Sequence, residues 1–518
     1  MFTKTNNPQL ALFTETRTLL PEASLKTYRD SKGWHNLFRE QITNRIDEEL
    51  FRPLFCEDNG APNASIRVLI GMMVLKEARG LSDSQLFEEC RFNLLVRMAL
   101  GLYNMDDSIP AESTYYLLRK RIVEWERAGN ENLIEKVFAQ VTKEQAIELE
   151  INGKKIRMDS KLMGSNICWY SRYELIHEVV GKAYKYLKGE RKEVVLSGRE
   201  RELLESTIKE TGGKVSYRSS KAELEMKVAE LGEVIYKIIQ QMGDEEAEEL
   251  QTLRRVFEEH YLVREEVVTV LPKEKIRAES IQSPHDTDCH YRNKGGNQIK
   301  GYSINVTETC DKGDPLNLIT NVQVATASTA DIDFLQPAVE ATKEVIGGKV
   351  ETINTDGAYH SVENQEYCKT EGIDLILGAM QGKPPRYDLR YGEGNELIIT
   401  DLKTNEIIPY RTIQRRKDGT TAWVIKDDKG NSRYFTEKEV EANELRREIA
   451  GRPVEEKNVR NNVESTIFQL GYHYPDDKSR YRGIIQHTIW ANARCLWINF
   501  ARILKYMTQK EGMMLQNT

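Results

Sequence analysis

The sequence is poor in cysteine and poor in long apolar runs. Seven cysteines stand among 518 residues, at 56, 90, 168, 289, 310, 368 and 495, and none forms a CxxC pair. That spacing excludes a zinc ribbon and a disulfide framework, and it fits a reducing cytosol. The opening "MFTKTNNPQLALFTETRTLLP" has no basic stretch followed by a sustained apolar one, and no later segment reaches membrane-spanning length. A soluble, cytoplasmic protein with no membrane partner is expected. A net positive charge is also missing. With 74 Lys and Arg against 81 Asp and Glu the net charge is −7, which argues against a protein that coats nucleic acid without selectivity. Low-complexity tracts are absent, so disorder is a minor reading.

What is present suits a large globular chain. Charged residues make up 30% and hydrophobic ones 39%, and the length calls for two or more domains. Local basic surfaces remain: "KSRYRG" (478–483) continues through His487 and Arg494 to Arg502 and Lys505, and "RTIQRRKDG" (411–419) is a second patch. On charge alone a solvated face is the commoner explanation of both.

Residues 1–135 read as helical. "SIRVLIGMMVLKEARG" (65–80) puts Ile66, Leu69, Ile70, Met73 and Val74 on one face, Gly80 stops it, and Ser82 opens the next helix. "IPAESTYYLLRKRI" (109–122) starts another. Such short helices suit either a helix-turn-helix DNA reader or a plain bundle. "GKKIRMDSKL" (153–162) then alternates as a strand ending on Asp159. Between about 165 and 265, Leu224, Val228, Leu231, Ile235, Ile238 and Met242 step by four and three, which predicts an inserted antiparallel helical hairpin; the seam is short enough to be internal core rather than a dimer zipper.

Strand pattern returns at 298–309 and 316–327 around the turn "CDKGDP", followed by a helix to Ile346, a strand at 351–355, a helix over "SVENQEYCKTEG" and a strand at 373–380. Residues 386–438 read as a small β unit. A late helix over 455–474 sets Val459, Val463, Ile467 and Leu470 or Phe468 on its apolar face and Lys457, Arg460, Asn461 and Glu464 on the polar one.

Three carboxylates stand out: Asp159, Asp356 after the strand "ETINT", and Glu464. With this strand order the first and fourth strands are neighbours, so two aspartates meet and a helix can add the glutamate. Singly each is ordinary, because Asp356 before Gly357 reads as a turn and Glu464 with Arg460 as a surface pair. Together they form a cluster that like charges disfavour unless a hard cation offsets them, so magnesium is expected, with manganese able to substitute. Two such ions serve an in-line phosphoryl displacement. "HDTDCH" (285–290) gathers His285, Asp286, Asp288 and His290, but the approach to a strand is irregular and lacks a glutamate in helical spacing, so zinc has little weight. Arg292, Lys294 and Lys300, which follow it, are better read as contacts to DNA or to the edge of the active site.

With these carboxylates, "MDSKLMGSN", "SPHDTDCHYRNKGG", "KGYSINVTET", "NTDGAYHS" and "RNNVESTIF", the chain resembles the bacterial insertion-sequence DDE transposases of the transposon-five-like group. The resemblance spans nearly the whole chain, least in the two insertions. It implies a fold of class α/β: a ribonuclease-H-like mixed sheet with a helical N-terminal domain (1–135, for DNA binding and dimerisation), a core from 150–165, 280–385 and 452–510, a helical insertion (166–279) and a small β-rich insertion (386–451). It implies an enzyme that binds the terminal inverted repeats of its element, cuts DNA with water and joins the 3′ ends to target DNA. Its partners would be double-stranded DNA, as ends and target, and further copies of itself in a homodimer or higher multimer. Bound to DNA it would lie at the nucleoid.

Residue by residue, Arg460 matches the arginine of that group's Tyr-Arg-Glu-Lys signature, a phosphate contact. Lys457 stands where the tyrosine would be and Gly471 where the lysine would be, so Lys478, Arg480 or Arg482 is the expected replacement. Trp423 would correspond to a base-stacking tryptophan, with an ordinary core tryptophan the commoner reading. A structure-selective nuclease on the same core, or a silent DNA-binding derivative, are the alternative functions.

Overall fold

The protein is described from a computed structural model covering residues 1–5, 14–57, 59–380, 382–394, 396–414, 419–428 and 430–516. Residues 415–418, the basic centre of the 411–419 patch, lie outside the described residues. Among the described residues no helix is long and apolar enough to cross a membrane.

The N-terminal part is helical, with α1 (Ile66–Arg79), α2 (Asp83–Phe92), α3 (Glu112–Arg127) and α4 (Leu133–Glu148) as its main members. Ser65 caps α1, and Gly80 ends it in the left-handed conformation at φ 63°. Ser82 and Gln85 close a capping box on α2. α1 is buried on nearly every face rather than one. Its partner is the long C-terminal helix Ile484–Gln516, whose Trp490, Leu496 and Phe500 enter one hydrophobic core with Phe38, Met72, Val74 and Phe138. The two ends of the chain therefore share a core, and Ile304, Val306 and Ile319 of the central sheet join it.

That sheet holds β1 (Lys155–Gly164), β4 (His290–Lys294), β5 (Asn297–Thr309), β6 (Ile319–Thr326), β7 (Thr352–Thr355) and β8 (Asp374–Leu377). Its order is β6-β5-β1-β7-β8, with β4 sharing the outer edge of β5. β1 runs antiparallel to β5 and parallel to β7, so the first and fourth strands of the expected order are neighbours. β1 does not end on Asp159. It continues to Gly164, because its pairing with β5 runs on to Gly301, where the two backbones come so close that a Cβ on Gly301 would collide with the Met163 carbonyl.

Alternation along β1 divides its neighbours. Ile156 and Met158 point into a core with Ile353, Leu335, Val339 and Tyr359, built by the helices Leu335–Ile346 and Val362–Glu371. Arg157, Asp159 and Lys161 point the other way, toward residues 459–477.

The insertion after β1 departs from the expected hairpin. It contains five helices, α5 (Arg172–Gly189), α6 (Gly198–Lys209), α7 (Gly212–Arg218), α8 (Lys221–Met242) and α9 (Glu248–His260), then a hairpin of β2 (Tyr261–Arg264) and β3 (Val267–Val270). The expected seam does face inward, since Val228, Leu231, Ile235 and Ile238 are buried against Ile176, Val180, Leu204 and Leu253, so it serves an internal core. The described residues between 387 and 435 form two three-stranded sheets. The late helix is broken. A short helix Val454–Asn458 passes through a 3-10 turn at Val459–Asn462 into Val463–Gly471, where Leu470 is buried and Phe468 is not.

Candidate active site

The parallel pairing of β1 with β7 sets Arg157 opposite Asn354. Continuing that register by two residues brings Asp159 opposite Asp356, which follows the last residue of β7. The 3-10 turn then carries Arg460 across this strand pair, and the helix Val463–Gly471 supplies Glu464 in its first turn.

One guanidinium joins all three carboxylates. Arg460 Nη2 donates to Asp159 Oδ2 at 2.7 Å and lies 3.9 Å from Asp356 Oδ2, while Nη1 lies 3.7 Å from Glu464 Oε1. Each aspartate keeps its other oxygen for its own backbone: Asp159 Oδ1 accepts from Ser160 N at 2.9 Å, and Asp356 Oδ1 accepts from Ala358 N at 2.8 Å. Asp356 is thus both the turn residue that its glycine neighbour suggests and a member of the cluster.

Burial raises the Asp159 carboxyl above its usual range, more than Arg460 and the Ser160 amide lower it; Asp356 adds to the rise. Burial works against the Arg460 charge, but Asp159 leads the carboxylates that hold its pKa above the usual value. Tyr359 lies beneath, buried, donating to Asn305 Oδ1 at 2.6 Å. Burial first, and then the charges of Asp159, Asp331 and Asp356, keep its hydroxyl protonated.

The oxygen-only donor set suits a hard divalent cation, and all three carboxylates already face one positive charge. Asp159, Asp356 and Glu464 are therefore the residues that could hold magnesium. As placed, with the guanidinium among them, no three His, Cys, Asp or Glu side chains among the described residues stand close enough together to hold a metal.

A buried hub, absent from the sequence reading, holds the pieces in register. Glu308 on β5 is fully buried and receives Arg157 at 2.6 Å, Arg502 at 2.8 Å and the Thr466 hydroxyl at 2.7 Å. Arg157 also donates to the Val459 carbonyl at 3.1 Å, next to Arg460. The hub therefore ties β1, β5, the Glu464 helix and the C-terminal helix together. A lone glutamate in the otherwise uncharged run "YSINVTET" is the signal that could have exposed it.

Residues 27–121 match a transposase domain family, DUF772. This match lies in the helical N-terminal part and supports a transposase role for the protein. No curated protein and no solved structure matches the chain.

The other candidates of this transposase-like chain scatter. Lys457 turns back to the Ile449 carbonyl at 3.1 Å. Arg292 donates to the Ala327 and Thr329 carbonyls and pairs with Asp331, and Lys294 is exposed at the end of β4. Lys300 lies over the half-exposed Trp169 ring at 5.0 Å. Lys478 donates to the Ile167 carbonyl at 3.0 Å, Arg482 to Asn166 at 2.6 Å and Arg480 to Leu81 at 3.1 Å. Lys300 and Lys478 flank Gly164, roughly 17 Å along β1 from Asp159 at the usual rise per residue. The ammonium found over Gly471 belongs instead to Lys161, two residues after Asp159 on the same face of β1. Trp423 packs partly buried against Tyr391 and the core of the small β unit. His285, Asp286 and His290 diverge: Asp286 accepts from Ser165, Tyr302 and Gly483 N, and His290 meets Ser328.

Proposed function

We propose that the protein is a DDE-type DNA transposase with a ribonuclease-H-like core, acting as a dimer or higher multimer on paired element ends. The observation that carries this reading is the meeting of Asp159, Asp356 and Glu464 around Arg460, in a chain whose N-terminal part matches a transposase domain. The sheet order β6-β5-β1-β7-β8 supports it by setting Asp159, within β1, beside Asp356, just past the end of the adjacent β7.

In this reading Asp159, Asp356 and Glu464 hold magnesium, with manganese able to substitute. When bound, two such ions supply activation of the attacking oxygen and stabilisation of the leaving oxygen in phosphoryl displacement. Arg460 presents a planar fork that matches two phosphate oxygens, and it places the scissile phosphate beside the carboxylates. Tyr359 and Asn305 form the neutral floor under the aspartates. The Glu308 hub fixes the distance between β1 and the Glu464 helix, which positional catalysis demands.

The test is incubation with labelled double-stranded DNA carrying the sequences that flank its gene, with and without magnesium. Joined products that need magnesium are expected. Cleavage without joining would favour a structure-selective nuclease, and binding alone a silent derivative. Full activity in both Asp159→Ala and Asp356→Ala would overturn the carboxylate assignment.

A further inference from the structure

Beyond Glu464, its helix keeps a face in solvent. Phe468 follows Glu464 by four residues within the helix, and Tyr472, four further on, caps its C-terminal end. Both residues are 64% exposed, and their rings meet edge to face with centroids 5.7 Å apart. Tyr472 leans in turn on His473, centroids 5.0 Å apart, and His473 Nε2 sits 3.0 Å from the Ala78 carbonyl oxygen. Single exposed aromatics are common on soluble proteins. A pair propped by an anchored histidine, following a carboxylate of the candidate site along the chain, calls for a ligand with flat faces.

A cation stands beside them. The Lys161 stem crosses over Gly471, where a Cβ would come within 2.7 Å of its Cε and 3.2 Å of its Nζ. Glycine at 471 thus leaves the passage that brings an ammonium from the Asp159 strand to the residue preceding Tyr472. Asp477 holds that ammonium at 2.6 Å, and the Lys161 side chain remains 16% exposed.

We propose that Phe468 and Tyr472 form a stacking seat for unpaired bases at the end of a DNA strand, with Lys161 taking a phosphate of the same strand. The proposal rests on the DNA-cutting reading above. Duplex bases are covered by their own neighbours, whereas bases at a frayed or cut end are exposed at little cost, and any base offers a ring face to an aromatic side chain. One ammonium beside two exposed rings offers a phosphate contact next to base contacts on the same strand. It also lies where a strand leaving the three carboxylates would run.

The test uses the full chain and two probes, a blunt duplex and the same duplex with a five-nucleotide unpaired tail containing 2-aminopurine. Stacking on wild type should quench the tail fluorescence. Phe468→Ala/Tyr472→Ala should abolish the quench and weaken binding of the tailed duplex roughly ten-fold, leaving the blunt duplex unchanged. Phe468→Tyr should retain the quench. Lys161→Ala should lower the salt dependence of tailed-duplex binding by about one phosphate contact. An unchanged quench in the double variant, with DNA binding intact, would overturn this proposal alone. So would a shift in the sedimentation of the DNA-free double variant together with an unchanged quench, which would assign the rings to a second copy of the chain. Failure of wild type to bind either duplex would overturn the DNA-cutting reading as well.

Discussion

Replacing Glu308 by glutamine keeps the shape of the hub and removes its charge. Two guanidiniums then lose their counter-ion in place, Arg157 with a 6% exposed side chain and Arg502 with a 20% exposed one. Removing one partner of a buried ion pair costs about 3–5 kcal/mol, because the remaining charge can neither be hydrated nor neutralised. Against a total stability of about 5–15 kcal/mol this is a large fraction. The pH dependence carries the sign. Burial pushes the Glu308 pKa up, but Arg502 and Arg157 outweigh it with help from Thr466, so its folded value lies below the ordinary one. A depressed carboxylate stabilises the fold above its unfolded pKa, about 4.3 for Glu, and that stability is lost as pH falls through the folded value. Urea unfolding followed by circular dichroism should show Glu308→Gln weaker by about 3–5 kcal/mol at neutral pH. The gap should close as the solution is acidified below the ordinary glutamate range. A variant within about 1 kcal/mol of wild type at neutral pH, below the range for a broken buried pair, would refute the reasoning. So would a gap that does not change with acid.

Three further outcomes follow from the packing. Gly301→Ala forces a Cβ onto the Met163 carbonyl at the end of the β1–β5 pairing, so it should cost at least about 1–3 kcal/mol by calorimetry. Trp490→Ala empties a side chain that is 1% exposed and packs on Tyr474 between the N-terminal helices and the C-terminal one; urea titration should show a loss of about 3–5 kcal/mol. Ser82→Ala opens the capping box of α2, and thermal unfolding should report a loss of about 1 kcal/mol.

What could be read along the chain was local. Asp356 announced itself because a β-branched strand stopped at Asp-Gly, and the order of strands put it beside Asp159. The length of β1 is not legible in its own pattern, because it depends on Gly301, a residue far along the chain that lets two backbones approach. The seam at 224–242 suggests a hairpin, whereas Ser171, Ser197 and Ser220 each begin a capping box with a glutamate three residues on and mark separate helices. The Glu308 hub and the Lys161 ammonium over Gly471 escaped for a common reason. Each joins segments hundreds of residues apart through side-chain chemistry that leaves no period in the sequence.

In the proposed function Asp159, Asp356 and Glu464 bind the metal directly. Changing Asp356 to cysteine exchanges an oxygen donor for sulfur, which magnesium accepts poorly and softer divalent ions accept better. Cleavage of labelled flanking DNA by Asp356→Cys should vanish in magnesium and return in manganese. Activity in magnesium equal to that of wild type would contradict the account.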